Sequence, residues 1–155
     1  MALTEARITE LIAEIKEKSQ PNSKYYGKLL EWYDGIANHY GIGLNDQEIL
    51  STGEHIAVIL HEKRPIKFCP TPALPPDLVI ERLIQSLDCF KDWRYGLLGW
   101  NCEHYGRLIA TNKAKSYQVK KSPLAMFNHG GYNPDALKVF NKYLKSRHLD
   151  NLIVK

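Results

Sequence analysis

Between Ala37 and His61 apolar residues recur at every second position, whereas on either side they recur at every third or fourth. The first period belongs to strands and the second to helices. Strands are therefore expected in the middle of the chain and helices at its flanks. In the first strand Tyr40, Ile42 and Leu44 share one face, and His39, Gly41 and Gly43 share the other. Glycine inside a strand often marks the close approach of a ligand or another backbone. His39 thus stands on a bare patch against which something packs or binds, or it is a histidine hydrogen-bonded at a sheet edge. Asn45-Asp46 is a turn signal, and Glu48 to Ser51 reads as the return strand. A hairpin folded about those two residues brings Ser51 or Thr52 opposite His39. A second tight turn at Thr52-Gly53-Glu54 starts a third strand, His55 to His61, and sets His55 opposite Ser51. The expected row across three strands is His39, Ser51, His55.

The flanks supply the helices. Thr4 to Lys18 carries Ile8, Leu11, Ile12 and Ile15 on one stripe, with Thr4 as cap, and Gln20 to Ser23 ends it. Tyr25 to Gly35 is compatible with a short helix or with a loop covering one edge. Pro65 to Pro76 holds five prolines and reads as a loop, with Lys67 to Cys69 as the exception. Asp77 is expected to cap a second helix with Ile80, Leu83, Ile84, Leu87 and Phe90 as its stripe and Cys89 beside it in the core. Ser116 to Lys121 suits a short strand or a loop, and Asn128 to Gly131 a turn-rich loop with His129 exposed. Asn133-Pro134-Asp135 opens a last helix with Leu137, Phe140, Tyr143 and Leu144 apolar.

A chain of 155 residues is long enough to bury one core, so a single domain, 1–155, is expected. The longest purely aliphatic run, Ile56 to Leu60, is far short of a membrane span, and no basic-then-apolar secretory pattern opens the chain. Three cysteines without paired spacing argue against a disulfide scaffold or a zinc site and for a reducing, cytoplasmic setting. Neither cofactor nor metal is expected, nor a nucleic-acid partner. The net charge of +4 is mild, but no acid lies between Glu103 and Asp135, where Arg107, Lys113, Lys115, Lys120 and Lys121 are all basic. That run is either a solvated face or a surface for peripheral contact with an anionic membrane.

Asn101-Cys102-Glu103-His104-Tyr105 joins the aromatic run Trp93 to Trp100 to a helical run, Tyr105 to Ala110. Asn101 is a favoured N-cap residue. Cys102 then lies in the first turn, where unpaired amides and the helix dipole favour a thiolate, the reactive form. The alternative is a small apolar core residue. A thiol nucleophile needs a base in reach and a third polar group to fix that base. His39, with Ser51 or His55 beyond it, supplies those types.

The Asn101-Cys102-Glu103-His104-Tyr105 box resembles the Asn-Cys-Glu-His-Phe box of lecithin:retinol acyltransferase-like proteins, which are circularly permuted papain-like thiol enzymes related more distantly to NlpC-type peptidases. Asn38-His39-Tyr40-Gly41-Ile42-Gly43-Leu44 is similar to that family's first histidine strand, and the helix from Asp77 to Phe90 and Tyr95-Gly96-Leu97 match its helix and linker. The likeness spans residues 37–119, leaving helical extensions at 1–36 and 120–155. It implies an α+β fold with a small antiparallel sheet packed on a helix that carries the cysteine at its N-terminus. It implies a thioester mechanism for acyl transfer between lipids or amines, or for acyl hydrolysis, with Cys102 as nucleophile and His39 as base. Glu103 and His104, with Asn101, belong to the motif and are expected to fix the helix. The family's second histidine, twelve residues after the first, is replaced here by Ser51, the expected third site residue, with His55 as its alternative. A binding domain without turnover, or a cysteine peptidase or amidase, are the other readings.

Overall fold

A computed structural model describes residues 3–33, 35, 38–53, 55–60, 66–69, 73–93, 100–117 and 134–155. The class is α+β, with helices and a five-stranded antiparallel sheet. Helix α1, Glu5–Lys18, starts where the Thr4 hydroxyl accepts the Arg7 amide at 3.1 Å, and it buries Ile8, Leu11 and Ile15.

Strand β1, Leu29–Tyr33, occupies the segment for which a short helix or loop was expected. The physical reason is that β1 lies inside the sheet. The order is β4-β3-β2-β1-β5, with β2 at Asn38–Gly43, β3 at Glu48–Ser51, β4 at Ala57–Leu60 and β5 at Lys67–Phe68. Leu29 joins the main core, while Leu30 and Trp32 join a second cluster with Ile49. A strand buried on both faces loses the alternation by which strands are read.

The β2–β3 register differs from the expected one. Gly41 pairs with Ser51, Ile42 with Leu50 and Gly43 with Ile49. The Asn45 side-chain oxygen accepts the amides of both Gln47 and Glu48, at 2.8 and 2.9 Å, and the Leu44 amide donates to the Glu48 carbonyl. The turn therefore takes in Gln47 as well as Asn45 and Asp46, and the return strand shifts with it. In the next hairpin Ser51 pairs with Ala57, not with His55. His55 is exposed and lies before β4 begins.

The bare patch beside His39 is covered from within. A side chain at Gly41 would strike the Ile49 methyl and the Leu50 carbonyl, both at 2.6 Å. On the opposite face the main core joins Ile8, Leu11 and Ile15 of α1 to Tyr40, Ile42 and Leu50 of the sheet and to three further helices. Helix α2 is Pro76–Cys89; Pro76 takes the first helical position, so Asp77 is not the cap but accepts the Tyr26 hydroxyl at 2.7 Å. Helix α3 is Cys102–Thr111 and α4 is Pro134–Ser146, followed by a short 3₁₀ turn at Asp150–Leu152. Cys89 is half-buried beside α2's apolar stripe and packs against the core. Among the described residues no helix is long and apolar enough to cross a membrane.

Candidate active site at the start of helix α3

Helix α3 is fixed at both ends. The Asn101 side-chain oxygen accepts the Glu103 and His104 amides at 2.9 and 3.0 Å. The His104 Nδ1 accepts the Asn101 amide at 3.3 Å in return. This is a capping box with histidine in the place usually taken by Glu or Gln. It requires an unprotonated Nδ1, so the ring proton of neutral His104 sits on Nε2. At the other end Arg82 of α2, fully buried, donates to the carbonyls of Leu108 and Ile109 at 2.8 and 3.0 Å. It also donates to the Leu152 carbonyl and the Asn112 side-chain oxygen, both at 2.8 Å. A cation at a helix C-terminus complements the negative end of the dipole.

Gly106 lets the helix press onto the sheet, because a β-carbon there would stand 2.7 Å from the Leu29 side chain. Glu103 is buried and accepts from Arg107 at 2.8 Å and from the Ser116 hydroxyl at 3.0 Å. Asn101 in turn donates to the Ser116 oxygen at 3.2 Å. Arg107 lies between the Tyr40 and Tyr117 rings, 5.9 and 4.5 Å from their centroids. Asn101, Glu103 and His104 are thus engaged in holding α3. Arg107 is buried and paired, so it does not belong to an anion-facing surface as expected. Lys113 is exposed and Lys115 half-buried, while Lys120 and Lys121 lie outside the described residues, as do His129 and Tyr95-Gly96-Leu97.

The position of Cys102 follows from where β3 ends. The Thr52 amide makes the last ladder bond, 3.2 Å to the Tyr40 carbonyl. Beyond it the Tyr40 amide and the Asn38 carbonyl point to the same side of β2, where β3 no longer runs. The Cys102 sulfur takes that place. It receives a hydrogen bond from the Tyr40 amide and lies 4.0 Å from the Asn38 oxygen, toward which the thiol donates. These two backbone groups flank His39. Covalent geometry then keeps the sulfur within about 7 Å of the His39 α-carbon. Thr52 locks the arrangement, its hydroxyl donating to the Cys102 carbonyl at 2.8 Å and lying 3.1 Å from the Tyr40 carbonyl.

His39 is half-buried, and its ring stacks on Trp32 of β1 with centroids 5.7 Å apart and planes 26° from parallel. Ser51 shares the His39 face, but opposite Gly41, so it is a diagonal neighbour, and such positions are about 7–8 Å apart. Trp32 carried no signal of its own in the sequence; pairing with His39 through β1 is what brings it to the site. Arg82 was likewise hidden, being a charged residue in a helix read for its apolar stripe.

Cys102 is 3% exposed. Burial pushes its thiol above the usual cysteine range, and the amides of Tyr40, Glu103 and Cys102 itself offset that only in part. Burial of the sulfur thus opposes the thiolate that the helix terminus favours. Burial also pushes the Cys89 thiol up to about 12. Cys69 is buried at the end of β5, its amide bonded to the Leu29 carbonyl. Among the described residues no group of three His, Cys, Asp or Glu side chains is arranged to hold a metal ion. No family model, no curated protein and no solved structure matches this chain.

Proposed function

We propose that this chain is a thiol acyltransferase or acyl hydrolase that works through a Cys102–His39 dyad on lipid or small acyl esters. The observation that carries the reading is the seat of the sulfur between the Asn38 carbonyl and the Tyr40 amide, on either side of His39. In this reading His39 serves as general base. As the sulfur attacks the ester carbon, the thiol proton passes to the imidazole and the carbonyl electron pair moves onto oxygen. The tetrahedral intermediate collapses, and the departing alcohol takes the proton from the imidazolium. Water or a second acceptor then attacks the thioester, giving its proton to His39. That proton returns to sulfur as the acyl group leaves. Ser51, diagonal to His39, is read as reaching the imidazole through a water. Lys113 and Lys115, with Lys120 and Lys121, would favour peripheral contact with anionic membrane in a cytoplasmic setting. The permuted papain-like topology is part of the same proposal.

Burial of the thiol favours a second reading, a binding domain of the same architecture that does not turn over. Intact-mass analysis after exposure to an activated ester separates the two. One acyl group on Cys102 is expected, absent in Cys102→Ser and formed about 10²–10⁴-fold more slowly in His39→Ala. Exclusive acylation of Cys69 or Cys89 refutes the dyad. Absence of any adduct selects the binding domain.

A further inference from the structure

Among the described residues the glycines have visible reasons to be glycine, with one exception beside the thiol. Gly41 and Gly106 would bring a β-carbon into collision, and Gly43 would strike the Tyr25 carbonyl. Gly53 meets no such obstacle. A β-carbon there would lie 3.7 Å from the Ser51 oxygen and 3.9 Å from the Cys102 β-carbon, ordinary contact distances, and its backbone is not in the left-handed region. Neither conformation nor packing asks for glycine.

What the missing side chain leaves next to Cys102, among the described residues, is room for one carbon. Gly53 follows Thr52, the last residue bonded in the β2–β3 ladder, so it lies where β3 leaves β2 and beside the sulfur. The helix side of the sulfur is closed, since Tyr40, Asn101, Glu103 and His104 are all buried. Gly53, Ser51 and His39 are half-buried and Asn38 is exposed, so this side faces solvent. The space flanked by the Ser51 oxygen and the Cys102 β-carbon accepts a single carbon at van der Waals distance.

We propose that the route to the Cys102 thiol runs over Gly53, and that the space above its α-carbon admits acyl chains unbranched next to the carbonyl while excluding α-branched ones such as aminoacyl groups. The substrate class rests on the acyl-transfer reading above; the route does not. Three measurements on the full chain test it: acylation of Cys102 by 4-nitrophenyl butyrate and by 4-nitrophenyl isobutyrate, each divided by spontaneous hydrolysis, and alkylation of Cys102 by iodoacetamide. Wild-type protein should favour butyrate by about ten-fold or more, the range one methyl group commands in a shaped site. Gly53→Ala should slow both butyrate acylation and iodoacetamide alkylation by about ten-fold with its melting temperature unchanged. Equal rates for the two esters in wild-type protein, a comparison that needs no variant, overturn the selectivity. Undiminished alkylation in folded Gly53→Ala overturns the route. If neither ester acylates Cys102, the acyl-transfer reading and the substrate class fall together, and slower alkylation of Gly53→Ala still establishes the route.

Discussion

Replacing Arg82 by Met tests what holds the cysteine helix in place. The guanidinium makes four hydrogen bonds of 2.8–3.0 Å, three to backbone carbonyls and one to Asn112. Among the described residues it has no carboxylate partner within salt-bridge distance. Burial lowers its pKa to about 10, so it stays charged at neutral pH. Methionine keeps much of the apolar stem but removes the charge and every donor. Each hydrogen bond from a charged group contributes about 1.5–3 kcal/mol, and each buried acceptor left without its donor costs about 1–3 kcal/mol. Relief from desolvating the cation returns several of these. The net loss worked from these opposing effects is about 3–5 kcal/mol, the scale on which breaking a buried charged network destabilises a protein. At about 2–4 °C per kcal/mol for a chain of this size, the melting temperature should fall by roughly 6–20 °C. Urea unfolding followed by circular dichroism reads the change as a lower midpoint at constant slope. Arg82→Lys, with the charge but not the planar fork, should fall between. A Met variant within about 1 kcal/mol of wild type would refute the argument that these carbonyls depend on Arg82.

The buried Glu103–Arg107 pair should behave as a unit: Glu103→Gln and Arg107→Met singly cost about 3–5 kcal/mol, and the double variant much less than their sum, measured as a double-mutant cycle in urea. Additive effects would show that the two side chains do not depend on each other. The Tyr143 hydroxyl at 2.8 Å, with Lys91 and Arg147 beside it, holds the Asp88 carboxyl below the usual aspartate value. A depressed folded-state value means that its stabilisation is present above the unfolded value of 3.8 and is lost as pH falls through the folded one. Asp88→Asn should therefore cost about 1 kcal/mol at pH 7, for a side chain about one-third exposed, and the difference should shrink as pH falls below 3.8 and through the depressed folded-state value. A deficit constant over that range would show that charge is not its cause.

The sequence by itself determined the local features. Helix α1 with its Thr4 cap, the Asn101 cap of α3 with Cys102 in the first turn, and the strands that contain His39 and Ser51 were legible because short-range chemistry decides them. Tertiary structure decided the rest. β1 read as a short helix or a loop, because a strand buried on both faces carries no alternation. Register turned on one side chain, Asn45, which captures two amides and leaves Ser51 opposite Gly41, two residues short of His39. The charge balance at Cys102 was hidden for a related reason. A helix terminus is visible in sequence, whereas the loss of water around a sulfur seated at the end of β3 is set by the packing of α3 on the sheet. Arg107 read as part of a basic surface run and Arg82 went unread, and both are interior because each finds acceptors that only the folded chain brings together.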